Sequence, residues 1–245
     1  MDAFRSILMH WERRKVSIMT ITTTNLIRAA GLCAVAAGLI FIAVQVNHPP
    51  MDASSATSTE WEIRFTAKLL MCGLALAGIT GMYLRQVREI GVLGLVGYLL
   101  LSAFYLLEAG VEFMGGYLLP TLADISPRYV NDVLAASTGG STSGDVGMLQ
   151  TMFSLAGVFY IGGGLVFGVA LFRARVLARW AAILLAVSTV STLALAALPE
   201  SFNRPLAVPM GIAMIGLGFS LYRRSEAAPG APRAMPPVPQ PAPAQ

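Results

Sequence analysis

Six apolar runs, each roughly 17 to 28 residues long, constrain this chain more than any other feature, because that is the length about 30 Å of hydrocarbon asks of a helix. They occupy residues 26–46, 66–84, 91–118, 148–172, 178–198 and 206–222. Strands of a membrane barrel would alternate apolar and polar residues over about 10 positions, and no segment does so. Composition agrees: 56% of the 245 residues are hydrophobic and 12% charged, against about 25% charged in an ordinary soluble domain. The expectation is an all-α polytopic bundle of six transmembrane helices, forming one domain over residues 25–223. Residues 1–24 form an N-terminal segment, in which 1–18 precede an alternative start at Met19, and 224–245 form a Pro/Ala-rich tail. The first run is too long for the 7–15-residue apolar core of a signal peptide, so a retained anchor is expected.

Net charge is +4, yet the placement of the charges argues for topology rather than a nucleic-acid partner. With the N-terminus inside, thirteen of the 17 Lys and Arg fall on the inner side, among them Arg85, Arg88, Arg173, Arg175, Arg179, Arg223 and Arg224. Arg64, Lys68, Arg128 and Arg204 fall outside, where seven of the 13 acidic residues also lie. Lys and Arg on short loops set orientation, so both termini are expected in the cytoplasm of a bacterial cell. The tail, "AAPGAPRAMPPVPQPAPAQ", has half of the chain's 14 prolines and can form neither a helix nor a core.

Two glutamates stand out in "FYLLEAGVEFMGGYLLP" (104–120). Counted from Gly91, Glu108 lies about 25 Å and Glu112 about 31 Å along the third span, in its outer part. At i and i+4 they share a face and repel unless a cation answers them. Arg64 and Lys68 open the second span with the same spacing. If the short turn "RQVREIG" is centred on Arg88, an antiparallel hairpin sets Lys68 against Glu108 and Arg64 against Glu112. The cluster then has two expected roles: a structural double ion pair, or a small-solute or proton site, since ionisable residues inside membrane segments mark pathways.

Small residues form stripes at Gly73, Ala77 and Gly81, at Gly91, Gly94 and Gly97, and at Gly164 and Gly168. Such stripes let helix backbones approach in lipid, within the bundle or against a homo-oligomer or membrane-protein partner. "GLCAVAAGLIFIAV" (31–44) and "GVFYIGGGLVFGVA" (157–170) echo each other at a constant offset of 126, which with three spans per unit would be an inverted repeat. In the long outer loop, Ser126, Pro127 and Gly139 bracket a short helix whose Tyr129, Val130, Val133 and Leu134 share a face. The "STGGSTSGDVG" that follows reads as a flexible linker. Trp61 and Phe65 suit a position in the membrane interface. Cys33 and Cys72 are expected as packing residues.

The only histidines, His10 and His48, lie outside the spans, so no haem, zinc or Ser–His site is expected at membrane depth. No catalytic motif is present, no cofactor or metal is implied, and the chain is read as a non-enzymatic protein of the lipid bilayer. The basic inner turn "LFRARVLARWAA", between Gly/Ala-rich spans, and the later "GIAMIGLGFSLYRR" resemble the second half of a family of uncharacterised six-helix bacterial integral membrane proteins, a domain of unknown function common in actinobacteria. That resemblance implies a cytoplasmic-membrane location and a compact bundle, and assigns no activity. The functional alternatives are therefore a small-solute or proton pathway and a membrane scaffold or accessory subunit.

Overall fold

The computed structural model describes residues 22–196 and 202–225, and the alternative start and the proline tail lie outside them. The described residues form an all-helical bundle. Helix α1 (Thr23–Ala43) starts where the Thr22 hydroxyl accepts the Asn25 N–H, satisfying a donor the helix cannot. A short α2 (Ala53–Ala56), capped by Asp52, leads into α3 (Thr59–Arg85), capped by Ser58. Glu60 and Glu62 in its first turn and Arg85 in its last complement the helix dipole. Then come α4 (Val87–Phe113), a π turn (Met114–Leu118), α5 (Leu119–Ala123), α6 (Pro127–Ser137), α7 (Met148–Ala174), α8 (Arg179–Ser191) and α9 (Asn203–Ser225).

Five of these stretches are long and apolar enough to cross a membrane: Thr23–Ala43, Thr59–Arg85, Val87–Ala123, Met148–Ala174 and Pro205–Arg224. The sixth expected span, 178–198, is met by a shorter apolar helix, Arg179–Leu195. From Thr192 it tightens into a 3-10 turn. The sequence explains this: Ser188, Ser191 and Thr192 each donate to the carbonyl three residues back, which favours the tighter winding.

The helices close into a ring in chain order. Each of α1, α3, α4, α7, α8 and α9 packs on the next, and α9 returns to α1. A half-turn about an axis in the membrane plane would reverse the sense of such a ring, whereas moving each span to the third one along preserves it. The inverted repeat expected from the 126-residue echo is therefore not how the bundle is built. Arg28 of α1 donates to the Tyr222 hydroxyl of α9 at 3.0 Å, and the Ala178 N–H to Ser220 Oγ at 3.0 Å. The start of α1, the end of α9 and the α7–α8 turn thus share the end that carries most of the arginines.

The opposite end is capped. α2, α5 and α6 fold over the bundle around a second apolar core that includes Trp61, Phe65, Leu119, Val130 and Val133. The expected helix in the long loop is present as α6, but it packs on its own bundle instead of lying on the lipid interface. Val130, Val133 and Leu134 are buried while Tyr129 is exposed. The loop after it is not a free linker: Asp132 accepts the Ser143 N–H at 2.7 Å and its hydroxyl at 3.0 Å. These hydrogen bonds hold the Asp132 carboxyl below its ordinary range. Trp61 and Phe65, expected in the interface, are instead buried beneath this cap.

Candidate intramembrane charge site

The α3–α4 seam fixes the site. α3 ends at Arg85, Gln86 turns the chain, and α4 makes one turn before Gly91 breaks it at φ 53°, ψ −152°. Only glycine adopts that conformation without strain. The break consumes rise the simple hairpin count assigned to helix, so α4 stands about one turn away from the expected register. Lys68 Nζ therefore lies 3.5 Å from Glu112, not in an ion pair with Glu108. The expected Arg64–Glu112 pair does not form either. Arg64 binds Glu60 on its own helix at 2.6 Å and donates to the carbonyls of Val44 and Asn47 at 3.0 and 3.1 Å. It closes the C-terminal end of α1, where carbonyls lack partners.

What remains is a compact group. The Lys68 and Glu112 side chains are 12% and 7% exposed, and the ammonium also sits over the Phe65 ring at 4.2 Å. Glu108, one turn before Glu112 on the same face of α4, lines a cavity beside this pair. One ammonium thus stands beside two carboxyls placed one turn apart. The cavity measures about 30 Å³ and is lined by Glu108, Tyr105, Tyr160, Met71, Met210 and Met214, room for about two water molecules.

A π turn makes the roof. Gly115 lies against the Phe65 ring and Gly116 against the Phe65 Cβ, where an added Cβ would overlap. The wider winding leaves the Gly115 carbonyl without its usual helical partner, and the Trp61 indole N–H donates to it at 2.9 Å. Trp61 stacks on Phe65 with ring centres 4.4 Å apart. Beside the roof is His48, whose Nδ1 is 2.8 Å from the Pro49 carbonyl. Burial, then the charge of Lys68, lower His48 from 6.5 to about 4, so it is neutral at physiological pH.

The predicted packing glycines divide. Gly81 meets Ala30 of α1, Gly97 the Phe167 backbone, Gly164 the Thr189 side chain and Gly168 the Ala182 carbonyl, all within the bundle. Gly94 is covered by Ile90 of its own helix, an effect of the Gly91 break. Gly73 meets nothing within 4 Å. Cys33 and Cys72 are free thiols, the latter buried near both glutamates. Sequence reasoning passed over Tyr105 and Tyr160 as parts of the site. Tyr105 was findable, since it falls three residues before Glu108 on the same helical face; Tyr160 arrives from α7 and had no local signal. No protein-family model matches the chain, and no curated protein or solved structure shows significant similarity to it.

Proposed function

We propose that the protein is a proton pathway across a bacterial cytoplasmic membrane, with Glu108 and Glu112 as its proton-binding pair. The observation that carries this is the single ammonium of Lys68 at 3.5 Å from Glu112, with Glu108 one turn away on the same helix and lining a water-sized cavity. The cavity of about 30 Å³, where Glu108, Tyr105 and Tyr160 stand among apolar side chains such as Phe41, Ala75 and Phe104, has the size of a water or two and in this conformation excludes a larger solute. The arginine-rich end, with both ends of the described chain, is assigned to the cytoplasm. The six-helix actinobacterial family that the chain resembles remains the proposed kinship.

The test uses dicyclohexylcarbodiimide, an apolar reagent that adds to protonated carboxyls. We expect it to label Glu108 or Glu112 in the intact protein, mapped by mass spectrometry. In proteoliposomes under an imposed potential, the protein should raise proton uptake above that of protein-free vesicles, and Glu108→Gln should return it to that level. No labelling together with no added flux would remove this reading.

A second reading, an accessory subunit acting through its helix faces, is favoured by one observation. Gly73 and Ala77, four residues apart on α3, are both exposed on the lipid side, the small-residue spacing used by helix pairs in membranes. It predicts that Gly73→Leu abolishes co-purification of a membrane partner or a second copy.

A further inference from the structure

The proposed proton site occupies only the outer part of the bundle, so a pathway needs a route through the rest. α4 supplies one face for it. Glu112, Glu108, Tyr105, Ser102 and Tyr98 are spaced by four, three, three and four residues, and so fall on one side of the helix. Successive members are about 4.5 to 6 Å apart in rise along the helix. At the lower end the Tyr98 hydroxyl lies 3.1 Å from the Thr80 hydroxyl of α3.

Two orphaned atoms mark where water belongs. Hydroxyls in these helices donate to a carbonyl one turn back, as Thr80 does to Leu76 at 2.7 Å and Thr189 to Leu185 at 3.1 Å. Ser102 Oγ is buried and makes no such bond. Gln86, fully buried where α3 turns into α4, donates its Nε2 to the Met82 carbonyl at 3.1 Å, while its Oε1 is buried without a partner. Buried polar atoms of this kind are ordinarily satisfied by ordered water. The neighbouring interior is filled by Ile79, Met82 and Leu101, so these polar groups are the hydrogen-bonding atoms this seam offers.

We propose that the α3–α4 seam carries a water-linked file of hydrogen-bonding groups, Glu108–Tyr105–Ser102–Tyr98/Thr80, along which protons leave the carboxyl pair, and that Gln86, about 9 Å further along α3, is the water-holding point that continues it toward the arginine-rich end. Water is held at Ser102 Oγ and Gln86 Oε1. Each hydroxyl or water accepts a proton on one side and releases its own on the other, so every hop leaves the group unchanged and no co-reactant is consumed. This inference rests on the proton-pathway reading and deepens it.

Proton uptake by proteoliposomes tests it, with dicyclohexylcarbodiimide labelling of Glu108 measured in parallel. Ser102→Ala removes the hydroxyl at little cost to folding and should lower flux by about tenfold, as a 1.4 kcal/mol rise in the transfer barrier would. Ser102→Thr should restore it, and both variants should keep the label. Flux at the wild-type level in Ser102→Ala and Gln86→Leu, with Glu108 still labelled, would overturn the route and leave the site standing. A wild-type protein without flux would overturn both. Radiolytic hydroxyl-radical footprinting adds a second readout: oxidation of Tyr105 and Tyr98 is expected in wild type and lost in Ser102→Ala, and its absence from wild type would overturn the file.

Discussion

Two antiparallel seams of this ring are built on opposite principles. Along α1–α9 the helices touch backbone to backbone. A Cβ added to Gly31 would lie 2.8 Å from the Gly218 carbonyl oxygen, and one on Gly211 2.9 Å from that of Gly38. Among the described residues, polar contacts recorded along this seam lie toward its ends, Arg28 with Tyr222 and Arg204 with Gln45 just past α1. Along α3–α4 the glycines of α3 face elsewhere, Gly78 and Gly81 meeting Ala34 and Ala30 of α1. Side chains hold that seam apart, and they include Lys68, Glu112, Thr80 and Tyr98. Lipid supplies no hydrophobic force between helices, so close packing must supply stability. Groups that cost free energy in a membrane can be kept where another seam holds the ring closed.

The largest test of that division is Lys68→Met, which strands Glu112 in a buried site. It should destabilise the protein by about 3–5 kcal/mol if the seam is dry, measured by unfolding in detergent, and Lys68→Met with Glu112→Gln should recover much of the loss. Recovery with Glu108→Gln instead would restore the simpler register expected from the hairpin count. Next comes Gly38→Leu, which drives a side chain into the α9 backbone and should cost about 1–3 kcal/mol, as overpacking does. No measurable loss would show that even the tight seam yields.

Trp61→Phe keeps the ring stack but leaves the Gly115 carbonyl without its indole donor, for an expected loss of about 1–2 kcal/mol. A pH series separates His48 from the carboxyl pair. Because His48 is lowered from 6.5 to about 4 in the folded protein, the unfolded chain binds more protons between those values. Stability should therefore fall as pH is lowered through that window, and fall less steeply in His48→Asn. At the far end of the scale, Gly73→Leu should leave stability within about 0.5 kcal/mol of wild type, since nothing faces it. A large loss there would mean that α3 packs on something the isolated bundle lacks.

Much of the fold was legible in the chain. Length and apolarity of the runs identified the helices, and Ser126, Pro127 and Gly139 bracketed α6 closely. Glu108, Glu112 and Lys68 were legible as a group because charge in an apolar span has few uses. Their pairing was not, because Gly91 gives no local sign that its φ will turn positive and shift the register. Trp61 misled for a related reason: an aromatic at a span's end fits both the interface and a capped interior, and only the folding of α6 over it decides. The Gly31–Gly218 and Gly38–Gly211 contacts escaped notice because their spacing of seven residues within each helix is meaningful only once α1 and α9 are known to be neighbours.

The sequence by itself determined that this is a helical membrane protein, which ends of the helices are basic, and that two carboxyls must be accommodated toward one end of one span. These follow from local quantities: apolar length, charge placement and helical periodicity. Only the tertiary structure decided that the ring closes through α1 and α9, that Lys68 answers Glu112 while Arg64 caps α1, and that Tyr160 joins Tyr105 at the Glu108 cavity. Each of those depends on how far one helix is displaced along another, and a single non-helical glycine moves that displacement by a full turn.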